Sequence, residues 1–275
     1  MTARCFTIIS LLWAFLSPLG AGVIEPPIGS PFPERSAKIV LGPKGALVLA
    51  YQSAEPESSE IQRDRELSRK LGLGIAAVTS KIRPGWYVLD ARGVIVAKYL
   101  DDNGRYTAAA ILVQRFGWTP PEPATEVEGK QLTAKTTASD ATVASGQRVT
   151  LLLDIDLDPS MHVYAPGVER YIPIDWKMAD SEFAAVHPAI FPHSQKLYLK
   201  AIGETVPAYR GHFRITRDIK IAPEHQLRAA LDASGRFTVP GSLRYQACDD
   251  RVCYIPQELH LSWTFQYQAL DKLDK

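Results

Sequence analysis

Apolar and polar positions follow two different rhythms in the two halves of this 275-residue chain. In the first half, short unbroken apolar runs flank a charged stretch: 46–51 (ALVLAY) and 73–78 (LGIAAV) predict buried strands, and 57–71 (ESSEIQRDRELSRKL) predicts a helix between them. Strand, helix, strand implies a parallel crossover. Residues 86–90 and 94–100 read as two further strands across the tight turn Ala91-Arg92-Gly93. Residues 105–116 then read as a helix with Ala109, Leu112, Val113 and Phe116 on one side.

Beyond residue 125 helical spacing almost vanishes. Strand-like runs recur at 131–138, 147–157, 162–165, 172–177, 183–190, 196–199, 212–221, 226–231, 235–245 and 258–265. In the last of these, Leu259, Leu261, Trp263 and Phe265 alternate with His260, Ser262 and Thr264, which gives one core face and one wet face. Such a density of strands predicts an all-β sandwich. The expected fold is therefore two domains, an α/β unit over 22–117 and a sandwich over 125–267. Residues 118–124 (WTPPEPA) form an extended, semi-rigid linker, and 268–275 a short tail.

Residues 1–21 carry Arg4, an apolar run and then Ser17-Pro18-Leu19-Gly20-Ala21, the pattern of a signal peptide that would be removed together with Cys5. No other stretch is long and apolar enough to span a bilayer. The expected location is periplasmic or secreted, where disulfides form. A net charge of +1 without basic clusters argues against nucleic acid or an anionic membrane as partner and leaves proteins or small molecules.

With the leader removed, the two remaining cysteines are Cys248 and Cys253, at the join of two strand-like runs. So short a loop removes little freedom from the unfolded chain, stabilising by only about 2 kcal/mol, which makes it a poor staple. A short bridge in a turn is easily strained and so tends toward the exchangeable kind. Spacing alone leaves open a structural staple, a redox pair and half a metal site. The last lacks further ligands at zinc spacing, and His187, His193, His212, His225 and His260 are scattered, so no metal or cofactor is expected.

The run Tyr245-Gln246-Ala247-Cys248, four residues, then Cys253-Tyr254-Ile255-Pro256 resembles the redox loop of the amino-terminal periplasmic domain of the DsbD family, an immunoglobulin-like sandwich. Ile255 stands where that family often has proline. The resemblance spans about 125–267 and implies thiol:disulfide exchange, with Cys253 as nucleophile and Cys248 resolving. The loop's own charges agree, since Asp249 and Asp250 lie beside Cys248 and disfavour its thiolate. It also implies a thioredoxin-fold electron donor and oxidised exported proteins as partners.

Two neighbouring segments extend the likeness. In Asp158-Pro159-Ser160-Met161-His162-Val163-Tyr164-Ala165, His162 and Tyr164 fall where the family sets side chains beside the redox loop, and His162 is the candidate proton carrier or hydrogen-bond donor to a departing thiolate. Taken without the family, His162 reads as a solvated loop histidine. Val206-Pro207-Ala208-Tyr209-Arg210-Gly211 matches the family's cap loop, with Tyr209 as the shielding ring and Glu204 a nearby carboxylate, although the family's acidic residues just before the ring are not reproduced; taken without the family, Tyr209 reads as a half-buried strand residue.

The first unit resembles a shortened thioredoxin or peroxiredoxin-like redoxin. The segment after Tyr51 reads Gln52-Ser53-Ala54-Glu55-Pro56-Glu57-Ser58-Ser59, without the reactive cysteine such enzymes place there, so thiolate chemistry in this half is excluded. It reads as a degenerate redoxin kept for docking or architecture. The competing function is a non-enzymatic exported binding module in which the bridge merely fixes a hairpin.

Overall fold

The computed structural model describes residues 23–33, 39–52, 58–121, 124–199 and 203–269. The leader expected over 1–21 lies outside them, as does most of the cysteine-free segment after Gln52. In the first unit, β1 (Ala46–Tyr51), α1 (Ser58–Lys70) and β2 (Gly74–Thr79) form the expected crossover, with β1 and β2 parallel in register Ala46↔Gly74 to Tyr51↔Thr79. β3 (Gly85–Leu89) and β4 (Ile95–Leu100) add antiparallel strands, giving the order β2-β1-β3-β4. Alternate residues of β1 go to opposite faces: Leu47 packs into one apolar cluster with Ile111 and Leu112, while Ala46 and Val48 join a second with Phe32 and Tyr87.

Phe32 belongs to the proline-rich lead-in, which is pinned to the sheet by bridges Ile24↔Ile82 and Pro31↔Val94. Glu25 adds to the clasp, accepting from Arg83 and Lys98 at 2.6 Å each.

The helix expected over 105–116 starts later. Arg105–Tyr106 form a short strand, β5, and α2 runs Ala108–Phe116. Thr107 caps it, its Oγ1 accepting from the Ala110 amide at 3.1 Å, and Gly117 ends it at φ 63°, a left-handed turn that glycine adopts without strain. β5 is extended because it pairs outside its own unit, in parallel with Gln147 and Arg148.

The second half has the strand density expected of a sandwich. Its elements are β6 (Thr125–Glu128), β7 (Leu132–Ala138), β8 (Thr142–Val143), β9 (Gln147–Leu157), β10 (His162–Tyr164), β11 (Asp175–Met178), β12 (Ala184–Ile190) and β13 (Gln195–Leu199). They continue with β14 (Glu204–Arg210), β15 (His212–Ile221), α3 (Glu224–Leu227), β16 (Arg236–Tyr245), β17 (Ala247–Cys248) and β18 (Gln257–Tyr267). The sequence predicts strand over 226–231; a single helical turn after Pro223, Glu224–Leu227, overlaps its start instead and buries Leu227.

Sheet β12-β15-β9-β7-β6 and sheet β11-β16-β18-β8 share one core, in which Leu151, Leu153 and Ile155 of β9 meet Val239, Leu243, Trp263 and Phe265. A third sheet, β13-β14-β10-β17, extends this core with Val163, Tyr209 and Ala247 and turns its other face toward the cysteines. The first unit leans on the outer face of β9 and β15. There Asp218 accepts from Gln114 (2.8 Å), Thr150 (2.8 Å) and Tyr106 (3.2 Å), and Thr119 accepts from Arg214 (2.8 Å).

Candidate functional site

The cysteine loop is a hairpin closed twice. Cys248 and Cys253 face each other across an antiparallel bridge with Cα atoms 4.0 Å apart, and their sulfurs are bonded. Asp249 shapes the turn between them: its carboxylate accepts from the amides of Arg251 (2.7 Å) and Val252 (2.8 Å) and from the Tyr254 hydroxyl (3.0 Å). The backbone bonds from Val252 and Arg251 hold this carboxyl below its ordinary range, and the ring of Tyr254 anchors it from the far side of the loop. Asp250 points away and pairs with Arg210 at 3.3 Å.

The two cysteines differ in access. Cys248 is 1 % exposed, whereas Cys253 is exposed. Around Cys253 the surface is apolar, with Val252 53 % and Ile255 80 % exposed.

Register dictates what faces the pair. β10 pairs on one side with β17, His162↔Cys248 and Val163↔Ala247, and on the other with β14, His162↔Arg210, Val163↔Tyr209 and Tyr164↔Ala208. Because side chains alternate between faces, Arg210, His162 and Cys248 form one cross-strand row on the outer face, and Tyr164 lies two residues along it. The Tyr164 hydroxyl is 3.7 Å from the Cys253 sulfur, and its ring stacks on Tyr171 at 4.3 Å. Tyr171 in turn donates to Glu204 at 3.1 Å. Burial raises the Tyr164 hydroxyl above its ordinary pKa, with the nearby Tyr171 and Glu204 adding to it, so it stays protonated and able to donate.

Two sequence expectations require correction. His162 is no solvated loop residue: it is fully buried on β10, edge-on to Tyr164 at 5.4 Å, and neither ring nitrogen has a hydrogen-bond partner among the described residues. Tyr209 does not shield the disulfide. As the register partner of Val163 it faces the sandwich core, stacks on Phe213 at 4.6 Å and donates to the Pro192 carbonyl at 2.9 Å. The segment expected as a cap loop is strand β14, and its neighbour β13 brings Leu197, Tyr198 and Leu199 to the cavity that Cys253 also lines.

Between that hairpin and the cysteine loop lies a cavity of about 360 Å³, lined by His162, Tyr164, Leu197, Tyr198, Arg210 and Cys253 among others. Tyr171 and Tyr198 were missed from sequence. No spacing signal marks them, and only the pairing of β13 with β14 and the stack on Tyr164 bring them in. Among the described residues no group of three or more His, Cys, Asp or Glu side chains could hold a metal ion. What the site offers is an exposed cysteine bonded to a buried one, a protonated hydroxyl beside the sulfur of the first, a buried histidine as register partner of the second and room for a visiting group.

This is the arrangement of a dithiol/disulfide site on a β-sandwich, and comparison with known families agrees. Residues 129–262 match the family described as "Thiol:disulfide interchange protein DsbD, N-terminal". No curated protein matches the chain. Among solved structures, the N-terminal periplasmic domain of ScsB from Proteus mirabilis aligns at 16 % identity and TM-score 0.34, over 54 % of this chain and 49 % of its own, so this chain spans about half the length of that one. The DsbD N-terminal domain of Neisseria meningitidis in the reduced form aligns at 14 % identity and TM-score 0.31, over 56 % of this chain and 98 % of its own. The PapD-like domain 7 of human CEP192 aligns at 9 % identity and TM-score 0.21 over 56 % of this chain and 95 % of its own. Among the described residues no helix is long and apolar enough to cross a membrane.

Proposed function

We propose that this protein is an exported thiol:disulfide exchange protein, periplasmic or secreted, that passes two electrons through Cys248 and Cys253 between a thioredoxin-fold donor and oxidised exported proteins. The observation that carries this reading is the split in accessibility within one closed loop, an exposed Cys253 and a Cys248 that is 1 % exposed, inside the stretch matched to the DsbD N-terminal family. Exchange requires a thiolate that reaches a partner's sulfur and a second thiol that does not need to.

In the reduced protein, Cys253 attacks the partner's disulfide, one partner sulfur leaves as a thiolate, and a mixed disulfide forms. Cys248 then attacks the Cys253 sulfur, the bond to the partner breaks, and the internal disulfide closes. The Tyr164 hydroxyl, 3.7 Å from Cys253, donates to the negative charge on that sulfur before attack.

The first unit, 22–117, we read as a degenerate redoxin used for docking. Its parallel β1/β2 pair with antiparallel β3 and β4 supports that reading, and its network to Asp218 supports the docking role. Residues 118–124 are the linker, and the immunoglobulin-like sandwich of 125–267 carries the chemistry.

The test is a pair of variants. Cys253→Ser abolishes exchange with a thioredoxin-fold reductant, and Cys248→Ser accumulates a mixed disulfide. Full exchange by the Cys253 variant overturns the assignment. The burial of Cys248 also suits a purely structural bridge in an interaction module. Titrating the couple against glutathione separates the two readings, since a staple stays oxidised through the whole range.

A further inference from the structure

We propose that His162 is the base that turns the buried Cys248 thiol into the resolving thiolate, an inference that rests on the exchange reading above. The observation behind it is the cross-strand row Arg210, His162, Cys248. Residues directly opposite in an antiparallel pair carry their Cβ atoms roughly 4.5–5.5 Å apart on the same face, so His162 and Cys248 occupy neighbouring positions and a modest side-chain rotation brings a ring nitrogen to the sulfur.

The chemistry of both groups is otherwise unexplained. A buried polar group without a partner costs about 1–3 kcal/mol, yet both His162 nitrogens are buried and have no partner among the described residues, at a position where a phenyl ring would fill similar space without that penalty. With the disulfide closed, Cys248 has no proton to share. Opening the bond creates an S–H within reach of the ring, so reduction itself supplies the missing partner. Cys248, for its part, is shut away from water and beside the Asp249–Asp250 stretch, both of which disfavour its thiolate. Without a neighbouring base the resolving step would be starved of nucleophile at neutral pH.

The groups facing His162 come from each element packed on it: Arg210 of β14, Asp249 and Asp250 of the loop, Cys248 of β17, and Tyr164 two residues along β10. Burial, then the charge of Arg210, push the imidazole below its ordinary pKa, with a smaller opposing pull from the aspartates. It is therefore neutral near pH 7, the form that accepts a proton.

The step balances as follows. In the mixed disulfide, Cys248 S–H gives its proton to His162, and the thiolate attacks the Cys253 sulfur. The sulfur bond to the partner breaks, and the partner leaves as a thiolate that takes a proton from the imidazolium or from water. Two electrons pass from the protein dithiol to the partner disulfide.

The test uses the full chain, reduced and mixed with oxidised glutathione, then acid-quenched and weighed to follow the glutathione mixed disulfide. In His162→Gln and His162→Phe, formation of the mixed disulfide changes less than about threefold, while its resolution near pH 7 slows by about tenfold or more. The gap narrows at alkaline pH, where hydroxide removes the thiol proton without help from the ring. Equal resolution in variant and wild type, or equal slowing of both steps, overturns the proposal. If wild type forms no mixed disulfide at all, the exchange reading falls and takes this one with it. Should both variants fail to fold, NMR of labelled histidine in the unmutated protein decides: the His162 titration moves upward on reduction, and an unmoved midpoint overturns the proposal.

Discussion

The hydroxyl of Tyr164 lies 3.7 Å from the sulfur of Cys253, although 89 residues separate them in the chain. Two features fix that approach: β10 pairs with β17, and Tyr164 stacks on Tyr171, whose own hydroxyl is tied to Glu204. The tyrosine is thus held from both sides before any partner arrives.

Tyr164→Phe keeps the stack and removes the donor. In the reduced protein the Cys253 thiolate loses a hydrogen bond of roughly 1–2 kcal/mol, so its reaction with iodoacetamide at pH 7 slows by about five- to twentyfold. The pH profile of alkylation shifts to higher pH by about one unit, and an unshifted profile would show that the hydroxyl does not bear on the thiolate.

Asp249 organises the loop through the amides of Arg251 and Val252. Its carboxyl is held below the ordinary 3.8, so its contribution is complete above that value and is lost as pH falls through the lowered one. Asp249→Ala removes it at every pH: the two amides exchange hydrogen faster by on the order of tenfold at pH 7, while core amides of β9 are unaffected. If the wild-type loop loosens well above pH 4, another group controls it.

The buried imidazole of His162 affects stability in the same pH sense as Asp249, in a window that opens at higher pH. Its folded pKa is below the unfolded 6.5, so from about pH 6.5 downward the unfolded chain binds the extra proton and stability falls, the loss being complete below the folded value. In His162→Phe, urea midpoints at pH 8 and pH 5 lie closer together than in wild type. A pH gap as wide as that of wild type would mean that other histidines or carboxylates produce it.

Asp218 joins the two units through Gln114 and Tyr106, and also accepts from Thr150 of its own sheet, with its side chain largely buried. Asp218→Ala strands those donors and destabilises the chain by about 2–4 kcal/mol. Limited proteolysis of the variant cuts near the 118–124 linker sooner than in wild type, leaving the disulfide sandwich intact. An unchanged cleavage pattern would locate the adhesion between the units elsewhere, in the β5–β9 pairing for example.

Much of the scaffold was legible from pattern alone, because it rests on local regularities. The apolar run of β1, the crossover to β2, the alternation of Leu259, Leu261, Trp263 and Phe265 and the cysteine spacing all appear in the structure where the sequence puts them. What escaped depends on pairing between distant segments. Tyr209 and Arg210 are neighbours in sequence, and nothing local says that Tyr209 enters the core while Arg210 joins the cysteine row; the register against Val163 and His162 decides it. Arg105–Tyr106 read as helix because the pairing with β9 that draws them out is invisible before the units meet. The turn at Glu224–Leu227 was a misjudged period, since four residues are too few to distinguish a strand from one helical turn.

The uneven exposure of the two cysteines has a stereochemical consequence. Under the proposed exchange a visiting sulfur has one place to bond, so trapped adducts are expected to join through Cys253 and not through Cys248, and the captured species to be a single regioisomer. A stalled complex made from the Cys248→Ser chain would therefore be homogeneous enough to crystallise, and the residues bordering its one sulfur bridge would show which surface of a partner this loop was shaped to meet.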